Sequence, residues 1–162
     1  MTRPLLLLLS ISILAISACA NSDYFEADTL TTTDNALVYV YRPAATNPGK
    51  KPLRTSYPEV MIDGKSQGFL GYNEYIAVEL PPGTLEFLAT GLTKDARWEP
   101  EDVKYDLKVE AGQTYFLRLR VEFNTARMTI GSFKGQYLIH MHPVAESEAI
   151  YEIRHTNRST KS

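Results

Sequence analysis

Cys19 is the only cysteine in the chain, and its neighbours define the chemistry open to it. It closes the run Ile16-Ser17-Ala18-Cys19, directly after twelve mostly apolar residues, Leu5–Ile16, that follow a basic start at Arg3. A charged start, a short apolar stretch and a small-residue exit make a secretory signal peptide, and about 20 apolar residues would be needed for a membrane span. An unpaired thiol exported to an oxidising compartment is a liability unless something consumes it. The alternative reading is an ordinary signal peptide with an incidental cysteine nearby.

Other residues have suitable types but incomplete sets. His140 and His142 stand two apart, so in a strand both imidazoles share a face and can reach one ion. A third ligand is missing at any recognisable spacing; His155 and Glu146 are the nearest in sequence, and two surface histidines on an edge strand explain the pair as well. Arg118, Arg120, Arg127 and Lys134 can form a basic face for lipid headgroups or an anionic glycan, or a solvated sheet face, since Glu122 stands among them. Trp98, beside Arg97, suits stacking on a sugar or plugging one end of a core. Glu99, Glu101 and Asp102 read as a solvating acidic cluster. Asn157-Arg158-Ser159 matches a glycosylation acceptor by coincidence. No nucleophile elbow, zinc-protease helix, phosphate loop or dinucleotide fingerprint is present. No catalytic residue and no cofactor is therefore expected.

The elements that must hold these residues are legible from periodicity. The chain has 162 residues, is 44% hydrophobic and 22% charged, and carries a net charge of -2. Those figures fit one globular domain and give no reason to expect nucleic acid as a partner. Ala36–Arg42 is β-prone and apolar at nearly every position, as a strand covered on both faces requires. Asp63-Gly64 marks a tight hairpin within Glu59–Leu70. Ile76, Val78 and Leu80 alternate with Tyr75, Ala77 and Glu79. Pro81-Pro82-Gly83 reverses the chain in the manner of a type II turn, and Leu85, Phe87 and Ala89 share a face of the next strand. Val103, Tyr105, Leu107 and Val109 repeat every second residue. Tyr115, Leu117, Leu119, Val121 and Phe123 form the longest alternating face, with Phe116, Arg118, Arg120 and Glu122 opposite. Arg127–Phe133 and Gln136–His142 are further strand candidates. Ala145, Ala149, Ile150 and Ile153 make a helical stripe over about Pro143–Arg154.

The expected fold is mainly β: an antiparallel β-sandwich of about eight to nine short strands with one short C-terminal helix. The organisation reads as a signal peptide over 1–18, a lipidated Cys19 and flexible tether over 19–35, the sandwich over 36–154, and a polar, frayed tail over 155–162. The tether would span about 20–25 Å as a coil, unless Tyr24 and Phe25 dock on the body.

Two resemblances add to this reading. Ile16-Ser17-Ala18-Cys19 resembles the bacterial lipobox, with Ile16 in place of the usual Leu. That implies cleavage between Ala18 and Cys19, acylation of Cys19 and anchorage in a lipid bilayer. Ala20 is not the Asp that retains such lipoproteins in an inner membrane, which implies an outer-membrane location facing the periplasm. Ala36–Pro43, Val60–Lys65, Gly68–Gly71, Tyr75, Leu80–Gly83, Val109–Tyr115 and Ala149–Ile153 together resemble a bacterial lipoprotein family with a domain of unknown function. The Ile-Asp-Gly-Lys, Pro-Pro-Gly and Ala-Gly-Gln-Thr elements are similar to PEGA-type and transthyretin-like β-domains. The expected function is a membrane-anchored, non-enzymatic envelope module that structures or binds an envelope protein. The alternative is a small-ligand, glycan or peptidoglycan binder using Trp98, Arg118 and Arg120.

Overall fold

The structure is a computed structural model and describes residues 24–44, 57–91, 102–123 and 137–160. Its elements in chain order are β1 (Ala36–Arg42), β2 (Glu59–Ile62), β3 (Lys65–Phe69), β4 (Glu74–Leu80), β5 (Gly83–Thr90), β6 (Asp102–Val109), β7 (Thr114–Phe123), β8 (Tyr137–Val144), α1 (Glu146–Ile153) and β9 (Asn157–Arg158). They form a five-stranded sheet in the order β8-β7-β1-β4-β9 and a four-stranded sheet in the order β3-β2-β5-β6. Among the described residues the molecule is mainly β with one short helix, as the sequence pattern predicts.

The two sheets bury one core between them. Val38, Val40, Ile76, Leu117, Leu119, Ile139 and Met141 come from the larger sheet, and Val60, Ile62, Leu85, Phe87, Ala89, Leu107 and Val109 from the smaller. Each set is one face of an alternating strand, so the period of two in the sequence is what seals the sandwich. The outer face of the larger sheet carries a second apolar layer of Leu37, Tyr39, Tyr41, Tyr75 and Phe116, closed by Ala149 and Ile153 of α1. This is why β1 is buried at all seven positions.

Turn chemistry holds at the β2–β3 hairpin. Asp63 and Gly64 both take positive φ, 48° and 74°, as a type I′ turn needs. Pro81-Pro82-Gly83 behaves differently from the expected reversal. It carries the chain from β4 in one sheet to β5 in the other. Gly83 adopts a φ of 153°, not the roughly +80° of a type II turn, so the chain arches across the sandwich.

Among the described residues pairing is antiparallel except at two places. β1 pairs parallel with β7, and β4 pairs parallel with β9. The Ala111-Gly112-Gln113 turn brings the chain back from the smaller sheet to lie beside β1 in the same direction. Side-chain periodicity is the same in both pairing directions, so the sequence does not distinguish them.

The helix begins later than the pattern suggests. Pro143 lies in β8 opposite Leu117, and α1 starts at Glu146. β8 is an edge strand among the described residues, where a proline removes no donor that the ladder requires. Asn157 and Arg158, expected to fray, instead pair with Glu74 and Tyr75. Residues 24–31, expected as tether, lie against the outer face. The Phe25 N–H donates to the Arg154 carbonyl at 3.0 Å. The Asp28 N–H donates to the Tyr39 hydroxyl at 2.6 Å, and Thr31 donates through its N–H and hydroxyl to the Glu79 carboxylate at 2.7 and 2.6 Å. The strand candidate Arg127–Phe133 lies outside the described residues.

Candidate functional site

Among the described residues the densest meeting of chemically capable side chains is on the outer face of the larger sheet, beneath α1. Strand alternation puts Tyr41 of β1, Arg118 of β7 and His142 of β8 on that face, because Tyr41 is opposite Arg118 and Arg118 is opposite His142 in register. The helix supplies Glu148 and Glu152, four residues apart and therefore on one face of it. Arg118 is almost wholly buried at the centre.

Its guanidinium is committed in several directions. Nη1 donates to Glu148 Oε1 at 2.8 Å and to Glu152 Oε1 at 2.6 Å. Nε lies 3.2 Å and Nη2 lies 2.8 Å from His142 Nε2. Arginine has no acceptor, so His142 Nε2 must accept, which assigns a neutral ring with its proton on Nδ1. The Tyr41 hydroxyl donates to Glu152 Oε2 at 2.7 Å.

The electrostatics follow from this arrangement. Burial lowers the His142 pKa below its ordinary value, and the positive charge of Arg118 adds to that, with His140 and Arg120 contributing. For Arg118 burial acts downward, but its bond to Glu148 and the charge and bond of Glu152 outweigh it, and the net shift is upward. Burial, then the bond to Glu152 and its charge, raise the Tyr41 pKa and keep it a phenol. His142 Nε2, Glu148 Oε1, both Glu152 carboxylate oxygens and the Tyr41 hydroxyl are therefore each held by a neighbour. The arrangement fastens a helix to a sheet.

A second buried cation lies at the end of β1. Arg42 is 2% exposed, with its guanidinium 5.8 Å from the centre of the Tyr72 ring. Burial lowers its pKa to about 10 against the opposing pull of Tyr72, Tyr57 and Glu74.

The residues singled out from the sequence are distributed unevenly. Ala18, Cys19, Trp98, Arg127 and Lys134 lie outside the described residues. Arg118 and Arg120 share a face of β7, but Arg118 is buried and Arg120 exposed. His140 and His142 share a face of β8, opposite Arg120 and Arg118. Among the described residues no three His, Cys, Asp or Glu side chains stand together as metal ligands would. His155 instead packs its ring against Tyr24, with centroids 5.2 Å apart. An open concavity of about 530 Å³ is lined by Arg118, Arg120, Ile139, His140, Met141 and His142, with Val103 of β6.

Sequence reasoning missed Tyr41, Glu148 and Glu152. The signal for the two carboxylates was present in their i,i+4 spacing, which aligns them on the helix face beside Ala149 and Ile153. Nothing in the sequence marked Tyr41 among ten tyrosines.

A family model described as a protein of unknown function, DUF2846, matches residues 32–132. The match spans β1 to β7, so Tyr41 and Arg118 lie inside it, and His142, Glu148 and Glu152 beyond it. No curated protein and no solved structure matches the chain.

Proposed function

The chain belongs to the DUF2846 family of proteins of unknown function, and from that premise we propose that it is a non-enzymatic envelope lipoprotein, a β-sandwich held on a membrane through acylated Cys19 that serves as a structural or protein-interaction module. The observation that carries the non-enzymatic reading is the hydrogen-bonded network around Arg118. Its charge and the lone pair of His142 are engaged by neighbours, and the Tyr41 proton is engaged by Glu152. Anchorage rests on Ile16-Ser17-Ala18-Cys19 and the twelve-residue apolar run before it. Acyl chains on one residue suffice for stable attachment, at about 0.8 kcal/mol per buried methylene. The location expected is the periplasmic face of an outer membrane. The finer kinship, with PEGA-type or transthyretin-like domains, is supported by the turn elements alone.

Growth with a palmitate analogue tests the anchor. Label on the wild-type chain that disappears in Cys19→Ala is the expected result; label that survives the substitution overturns it. Crosslinking the tagged chain in intact envelopes tests the interaction role, which predicts recovery of a specific protein partner. A second reading is favoured by the concavity beside β8, where exposed Arg120 and His140 stand together. There the module would take an anionic glycan or another small ligand. Retention on purified peptidoglycan, lost in Arg120→Ala or Trp98→Ala, would favour that reading over the first.

A further inference from the structure

The short distance between Cys19 and the first contacts of the body constrains which surface meets the membrane. Phe25 is tied down by its N–H bond to the Arg154 carbonyl and by edge-on packing of its ring against Tyr39 and Tyr75, at 5.1 and 5.3 Å between centroids. Five residue steps from Cys19 to Tyr24 reach at most about 18 Å at full extension, whatever path they take. Acyl chains on Cys19 would therefore enter a bilayer close to Tyr24.

The surface at that point has a distinctive composition. Among the described residues the large exposed apolar side chains are Tyr24, Ile150 and Tyr151, at 55%, 38% and 65% exposure. Tyr24 packs on His155. Ile150, Tyr151 and Arg154 are spaced to share the outward side of the last turns of the helix. The Arg154 guanidinium lies 4.0 Å from the centre of the Tyr151 ring and makes no ion pair among the described residues. Its Nε is buried with no hydrogen-bond partner. Tyrosine rings with one wet end and an arginine on an apolar stem are the side chains that settle at a headgroup layer.

We propose that Tyr24, Ile150, Tyr151, Arg154 and His155 form a docking surface that lies on the phospholipid headgroup layer of the membrane holding Cys19. The inference rests on the lipid-anchor reading and deepens it. The strands would then carry their opposite ends away from the bilayer. Asn73 Nδ2 donates to the His155 carbonyl at 2.7 Å, which puts the patch at the Arg42 end of β1. The Gly112 N–H donates to the Asn35 carbonyl at 2.8 Å, which puts the β6–β7 turn at the Ala36 end. A seven-residue strand separates these ends by about 20 Å.

Fluorescence quenching in the full-length acylated protein tests this. Trp98→Phe is combined with a single reporter, Tyr151→Trp on the patch or Ala111→Trp on the far turn. Each protein is reconstituted in phosphatidylcholine–phosphatidylglycerol vesicles whose acyl chains are brominated near the headgroup. The patch reporter is expected to be quenched at least about twofold more than the far reporter, because only interfacial side chains come within reach of the bromines. Equal quenching with both proteins still on the vesicles overturns the docking surface and leaves the anchor standing. A patch reporter shielded from aqueous iodide but not quenched by lipid means that protein covers the surface, and also overturns it. An intact mass without acyl chains overturns anchor and docking together. Near-ultraviolet circular dichroism of both reporters checks that each substituted protein is folded.

Discussion

Arg118 holds a positive charge on a sheet face that also carries Tyr39, Tyr41 and Phe116, and it is tolerable there because Glu148, Glu152 and His142 receive it. Removing Arg118 leaves Glu152, a quarter exposed, partly desolvated without its partner, whereas Glu148, more than half exposed, returns to water. Arg118→Met is therefore expected to lower unfolding stability by about 2 kcal/mol in urea titration. Lys104→Met, which breaks the exposed pair with Glu86, should cost less than about 1 kcal/mol. His142 gives a pH signature. Its folded pKa lies below the ordinary 6.5, chiefly from burial and then from Arg118. The unfolded chain thus binds a proton that the native ring resists. Stability from the neutral ring is full above pH 6.5 and declines as pH falls through that value towards the lowered folded pKa. His142→Gln, which keeps an acceptor for Arg118, should flatten the slope between about pH 7 and about pH 5. An unchanged slope would show that other groups control it.

Elements divide according to how local their causes are. The β2–β3 hairpin was legible because Asp63 and Gly64 need positive φ and only a few residue types supply it cheaply. Gly64→Ala should cost about 1 kcal/mol, read from thermal unfolding, although a Cβ there would meet no atom within 4 Å. Alternation in β4, β5, β6 and β7 was equally legible, because inward and outward positions follow from a period of two. The start of α1 was not. Pro143 suits a first helical turn and an edge strand alike, and pairing with Leu117 decided for the strand. Residues 24–31 were not legible either, since their bonds go to Tyr39, Glu79, Arg154 and Arg158, all distant in sequence. Phe25→Ala should cost about 2 kcal/mol. In hydrogen exchange it should speed the Phe25 and Asp28 amides well before the β1 amides. Loss of protection across β1 as well would show that this segment is integral to the larger sheet.

For the whole molecule, the proposed anchorage and the folding of the sandwich are expected to be separable. Among the described residues the sandwich core draws on Ala36 to Met141, all of which follow Cys19 in sequence. Cys19→Ala is thus expected to release the protein from membranes while its unfolding free energy stays within about 0.5 kcal/mol of the acylated form in detergent. A large drop would mean that the anchor also stabilises the body. The proposed docking surface would add an orientation to that attachment, with α1 and β9 towards the lipid and the β6–β7 turn away from it.

The sequence by itself determined the all-strand character, the burial of β1 on both faces, the inward set of each alternating strand and the hairpin at Asp63-Gly64, because each depends on a residue's immediate neighbours and on local backbone preference. Only the tertiary structure decided that β1 and β7 run parallel, that Pro82 bridges two sheets, and that Arg118 is spent on two glutamates and a histidine. Side-chain period carries no information on pairing direction, and an ion pair between residues 30 or more positions apart depends on how separate elements come to rest on one another.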